Sequence, residues 1–112
     1  MSYSVIPTLK FKKQAKRLIK KYASLKDELR ELENILIAHP KAGTSLGNNT
    51  FKIRLAVKSK GKGKSGGVHI ITFLITEDQE IYLLSIYDKS EIANVDDRDL
   101  REQITATTKG KK

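Results

Sequence analysis

Two hydrophobic periods divide the chain. Phe11, Ala15, Leu18, Ile19 and Tyr22 recur at helical spacing, and Leu25, Leu29, Leu32 and Leu36 continue it as a narrow stripe. Further on the period falls to two: Phe51, Ile53, Leu55 and Val57 point one way, Lys52, Arg54 and Lys58 the other. The pattern predicts two helices followed by strands. Thr8 offers an N-cap to the first helix, and Ser24 one to the second, with Asp27 and Glu28 in its first turn. A break near Ala23-Ser24 makes the pair an αα-hairpin, which Pro40 and Gly43 end.

Around this core lie weaker signals. Tyr3 to Ile6 reads as a short strand ended by Pro7, and residues 43–49 as a loop. Val68 to Thr76 is apolar on nearly both faces, which predicts the central strand of a sheet. After a turn at 77–80, Ile81 to Tyr87 is the third strand of an antiparallel meander. Asp96 or Asp97 could cap a short C-terminal helix through Leu100 and Ile104, leaving residues 105–112 as a basic, frayed tail. Helices bunched before strands predict an α+β fold: an antiparallel β-meander packed against an N-terminal αα-hairpin, with a short N-terminal strand and a short C-terminal helix. One sheet face is then covered by helices and the other left for chemistry or a partner. At 112 residues the chain is read as a single domain, 1–112.

Charge changes the picture. Lys and Arg total 22 against 13 Asp and Glu, a formal net charge of +9 that steers the protein toward polyanions, nucleic acid first. With no cysteine and two histidines, neither a disulfide framework nor a metal site is expected, and no cofactor. No apolar run reaches the ~20 residues of a membrane span, and residues 1–7 do not read as a signal peptide, so cytoplasmic residence without membrane association is the expectation.

The charge concentrates between two strands. In residues 58–67, four lysines (Lys58, Lys60, Lys62, Lys64) alternate with serine and glycine, and four of the ten residues are glycine. Glycine lets main-chain N–H groups approach phosphate oxygens and lysine supplies charge, so the run is a candidate RNA-binding loop. Exposed hairpin tips share this composition, and surrounding residues must decide. Gly63-Lys64-Ser65 is similar to a nucleotide-binding loop, but that pattern needs a glycine where Lys58 stands, and the run joins two strands instead of opening a helix.

Three segments complete the signal. Phe51-Lys52-Ile53-Arg54-Leu55, the run from Lys60 to Gly67, and Tyr82-Leu83-Leu84-Ser85-Ile86-Tyr87-Asp88-Lys89-Ser90-Glu91 resemble the toxins of bacterial toxin–antitoxin systems in the RelE/HigB group. The resemblance implies metal-independent cleavage of translated mRNA, typically on the ribosome, and inhibition by a cognate antitoxin protein. Such cleavage uses the 2′-hydroxyl as nucleophile, so it needs a base, cations for the transition state and an acid for the leaving oxygen. Lys52, Arg54 and Lys89 are candidates for phosphate contact and transition-state charge, His69 for proton transfer, and Tyr87 for base stacking or a hydroxyl. The resemblance puts arginine at the position of His69, a departure in this chain, and a basic residue at that of Lys89. Two alternatives share these features: a DNA gyrase inhibitor of the ParE type, and a non-catalytic nucleic-acid-binding module.

Overall fold

The computed structural model describes residues 3–60, 67–88, 98 and 101–105, with the backbone alone at Lys60. Lys62, Lys64, Lys89, Asp96, Asp97 and the tail from 106 lie outside the described residues. The chain runs β1 (Ser4–Pro7), α1 (Leu9–Lys21), α2 (Leu25–Ala38), β2 (Thr44–Gly47), β3 (Thr50–Leu55), a 3-10 turn (Lys58–Lys60), β4 (Val68–Ile75) and β5 (Glu80–Asp88). Residues 98 and 101–105 are also helical. This is the α+β arrangement expected from the two periods. None of the described helices is long and apolar enough to cross a membrane.

The five strands form one sheet in the order β1-β5-β4-β3-β2. β4 is the middle strand, as its two apolar faces require: seven of its eight residues are buried. β2 to β5 pair antiparallel, whereas β1 joins the β5 edge in parallel, Ser4 opposite Glu80 through Pro7 opposite Leu83. Pro7, expected to end the first strand, is its last residue. An edge place tolerates proline, which has no N–H to donate.

One element departs from expectation. Residues 44–47, read as loop, form β2, which hairpins onto β3 through Asn48 and Asn49. Both asparagines have positive φ, 53° and 60°, the backbone of a two-residue type I′ turn whose twist matches paired strands. The β2 segment is exposed and nearly free of apolar residues, so it carries no period-two signal; the Asn-Asn pair was the legible clue.

Both helices pack on one face of the sheet. Phe11, Ala15 and Leu18 of α1 and Leu25, Leu32 and Leu36 of α2 meet Phe51, Ile53, Ile70, Leu74, Ile81 and Ile86 in the main core. Burying each large side chain contributes about 1.5–3 kcal/mol, so this layer dominates the folding free energy. Thr8 caps α1 as its sequence suggests, its Oγ1 accepting from the Phe11 N–H at 3.3 Å. Ser24 does not cap α2: it holds helical dihedrals and makes no side-chain cap bond, because its hydroxyl is engaged elsewhere.

The opposite face carries a smaller cluster of Ile71, Phe73, Leu84 and Tyr87, against which Ile104 packs. Part of the face expected to be left for a partner is therefore covered by the chain's own C-terminal segment. Beyond Leu83, β1 no longer pairs with β5, and side chains complete the edge instead. Gln14 Oε1 accepts from the Ile86 N–H at 3.1 Å, and Gln103 Nε2 donates to the Leu84 carbonyl at 2.7 Å. Satisfying these groups blunts an otherwise open strand edge.

Candidate functional site

Register brings three of the candidate residues into one row. Arg54 on β3 lies opposite His69 on β4, which lies opposite Tyr87 on β5. Directly paired residues share a face, and adjacent strands are about 4.8 Å apart, so the row spans roughly 10 Å. Lys52, two residues before Arg54, lies on the same face, in the row of Ile71 and Ser85. This is the face turned away from the helices, at the end of the sheet where β3 runs out and β4 begins. The lysine–glycine run connects those two strands, and Lys58, four residues beyond Arg54, is exposed at its start.

The row is graded in exposure. Arg54 is open to solvent and Lys52 is intermediate, while His69 and Tyr87 are each 3% exposed. His69 Nδ1 and the Tyr87 hydroxyl share a hydrogen bond of 3.2 Å, with ring centroids 5.3 Å apart in an edge arrangement. The two rings thus form a supported pair behind the cations. The Tyr87 ring is buried and its hydroxyl is turned to His69. Lys89 is outside the described residues, as are Lys62, Lys64 and the side chain of Lys60.

Burial pushes the Tyr87 phenol above its ordinary value, because the phenolate would lose its hydration. In the unfolded chain the phenol releases its proton near pH ~10. Between that pH and the higher folded value, the unfolded state holds fewer protons than the folded one, so stability falls as pH rises. We expect the urea midpoint of the protein to drop above about pH 10, and Tyr87→Phe to remove part of that drop. Urea titrations of both proteins across the alkaline range check this; equal slopes would contradict it.

Behind the row, Asp88 points to the helix side. Its side chain is fully buried, its Oδ2 accepts from the Tyr22 hydroxyl at 2.5 Å, and Lys21 Nζ lies 3.9 Å away. Lys21 also sits 5.3 Å from the Tyr22 ring centroid. This cluster ties the end of α1 to the end of β5, next to Tyr87. Sequence reading placed Asp88 only as part of the strand end; its tyrosine partner is 66 residues away.

Sequence reading placed Glu28 in the first turn of α2 but missed its burial. It lies on the leucine-striped face of α2 between Leu25 and Leu32, and is 8% exposed. Its Oε2 accepts from the Lys58 N–H at 2.8 Å. The only signal in the chain was a carboxylate three and four residues from core leucines.

The sheet and the helical hairpin on one of its faces make up a fold that recurs in a solved bacterial protein. The Escherichia coli toxin RelE, solved in the free state as a variant with two arginines replaced by alanine, superposes with a TM-score of 0.58 over 95% of this chain and 98% of that chain, at 16% sequence identity. No family model matches the chain.

Proposed function

We propose that the protein is the toxin of a toxin–antitoxin pair and cuts translated mRNA without a metal, using the 2′-hydroxyl as nucleophile. The observation that carries this reading is the Arg54–His69–Tyr87 row, with Lys52 beside it, at the sheet end from which the cationic run departs. Arg54 and Lys52 are the groups a phosphate reaches first, and they stabilise the charge-rich transition state. His69 and Tyr87 lie beneath them. With so little of its surface open, His69 serves either to hold the row in place or to move the proton between the 2′-hydroxyl and the leaving oxygen. A pH–rate profile of His69→Gln separates the roles: a positioning residue lowers the rate evenly, whereas loss of a proton donor or acceptor removes a limb of the profile.

The inhibitory partner is proposed to be acidic. Adjoining apolar grooves along α1, lined by Pro7, Phe11, Ile19 and Leu29, are bordered by Lys16, Lys26 and Arg30 and by one carboxylate, Glu33. An amphipathic acidic segment of an antitoxin fits them, and the cationic row offers it a second surface. Co-purification with the protein encoded beside this one tests the pairing; an uncharged or basic partner would contradict it.

Expression from a tightly controlled promoter, followed by mapping of transcript 5′ ends, tests the activity. Growth arrest with new ends inside translated regions is expected. Arrest with intact transcripts rejects the reading, and a supercoiling assay then tests gyrase inhibition, since fold alone does not separate the two.

A further inference from the structure

We propose that Glu28, together with Ser24 and Ser59, is a positioning group for RNA binding, fixing where the chain leaves β3 for the lysine–glycine run. The proposal rests on the RNA-binding reading above and adds to it residues outside the cationic row.

The geometry is a clamp between the tip of the helical hairpin and the start of the run. The Ser59 N–H donates to Ser24 Oγ at 3.0 Å, and the Ser24 N–H donates to Ser59 Oγ at 3.1 Å, a reciprocal pair. The two hydroxyl oxygens are 2.9 Å apart, and Ser24 Oγ lies 3.2 Å from Glu28 Oε1. The other carboxylate oxygen takes the Lys58 N–H. One carboxylate oxygen of Glu28 thus holds the segment just beyond β3, and the other meets Ser24, the serine that holds the next residue, Ser59.

Core packing does not explain Glu28. Its neighbours on the buried face are Leu25 and Leu32, and an apolar side chain there would avoid desolvating a carboxylate. What the carboxylate supplies is an acceptor for main chain that has left its ladder. Pairing of β3 with β4 ends at Leu55 opposite Val68, so no strand partner holds Lys58 or Ser59. The return end of the run is held differently. Gly67 has a φ of 50° and packs so closely on the Leu55 carbonyl that a Cβ would collide with it. Each end is therefore fixed by its own contact. Main chain held in place before a ligand arrives costs less to order on binding.

Hydrogen exchange and RNA affinity test the clamp. The probe is a 2′-O-methyl RNA oligonucleotide, which cannot be cut. In Ser24→Ala/Ser59→Ala and in Glu28→Ala, the Lys58 and Ser59 amides should exchange at least about tenfold faster, while those of Ile70 and Ile86 are unchanged. The dissociation constant should rise roughly threefold to tenfold, the effect of one net hydrogen bond of ordering. Glu28→Gln keeps an acceptor oxygen and should restore most of the affinity. Faster exchange with unchanged affinity would make the clamp purely structural and overturn the proposal. Lys58 and Ser59 amides that exchange freely in the wild type would overturn it as well. Wild-type protein that neither binds nor cuts RNA would overturn the function instead, and the exchange data would show that the clamp itself had not failed.

Discussion

Arg54→Ala should lower mRNA cleavage by about 10²–10³-fold, equivalent to roughly 3–4 kcal/mol of transition-state stabilisation. Arg54 is the exposed member of the row, on a strand paired with the central β4 at this position and with β2 as far as Lys52, so its guanidinium is presented from a sheet strand. Rigid presentation matters because a group already oriented toward the developing charge needs no reorganisation during the reaction. The same exposure makes the substitution structurally mild, within about 0.5 kcal/mol of wild-type stability. Arg54→Lys keeps the charge and loses the two-pronged geometry, and should recover only part of the activity. Lys52→Ala, one row further from His69, should cost less than Arg54→Ala. Cleavage of a translated reporter, read by primer extension beside thermal unfolding of each variant, gives both quantities. Full activity in the Arg54→Ala, Lys52→Ala double variant would place the reaction elsewhere on the molecule.

The largest stability effect is expected at the Tyr22–Asp88 contact. Tyr22→Phe removes a donor from a carboxyl with no access to solvent, and should cost about 2–3 kcal/mol. Lys21 lies farther off and is half open to solvent, so it replaces little of what the hydroxyl gave. Tyr22→Phe combined with Asp88→Leu should be more stable than Tyr22→Phe alone, because a buried carboxyl that has lost a hydrogen-bond donor costs more than an apolar side chain in its place. Urea denaturation of the single and double variants checks this. A Tyr22→Phe midpoint equal to wild type would mean that the contact contributes nothing net. Since Asp88 follows Tyr87, partial loosening of this end should also lower cleavage before the protein unfolds.

Much of the architecture was legible in the chain. Both helices, the hairpin between them, the central place of β4 and the turn before β5 followed from spacing that each segment carries in its own residues. β2 was not legible because an exposed edge strand needs no apolar alternation, and its hairpin rested on two asparagines alone. Nor was the parallel pairing of β1 with β5, which depends on residues more than seventy positions apart. Within the site, the common face of Lys52 and Arg54 came directly from the period of two. The meander puts His69 on the strand between those of Arg54 and Tyr87, but the register that sets the three opposite one another is decided by the whole sheet.

The residues alone thus determined which segments are helix or strand, which of their faces are apolar, and where positive charge is concentrated. Only the tertiary structure decided that His69 and Tyr87 are buried behind Arg54, that Asp88 turns to Tyr22, and that Glu28 and Ser24 hold the chain beyond β3. The physical reason is range. Periodicity and charge are properties of neighbours along the chain, while burial and hydrogen-bond partnership arise when segments far apart in sequence are packed against one another.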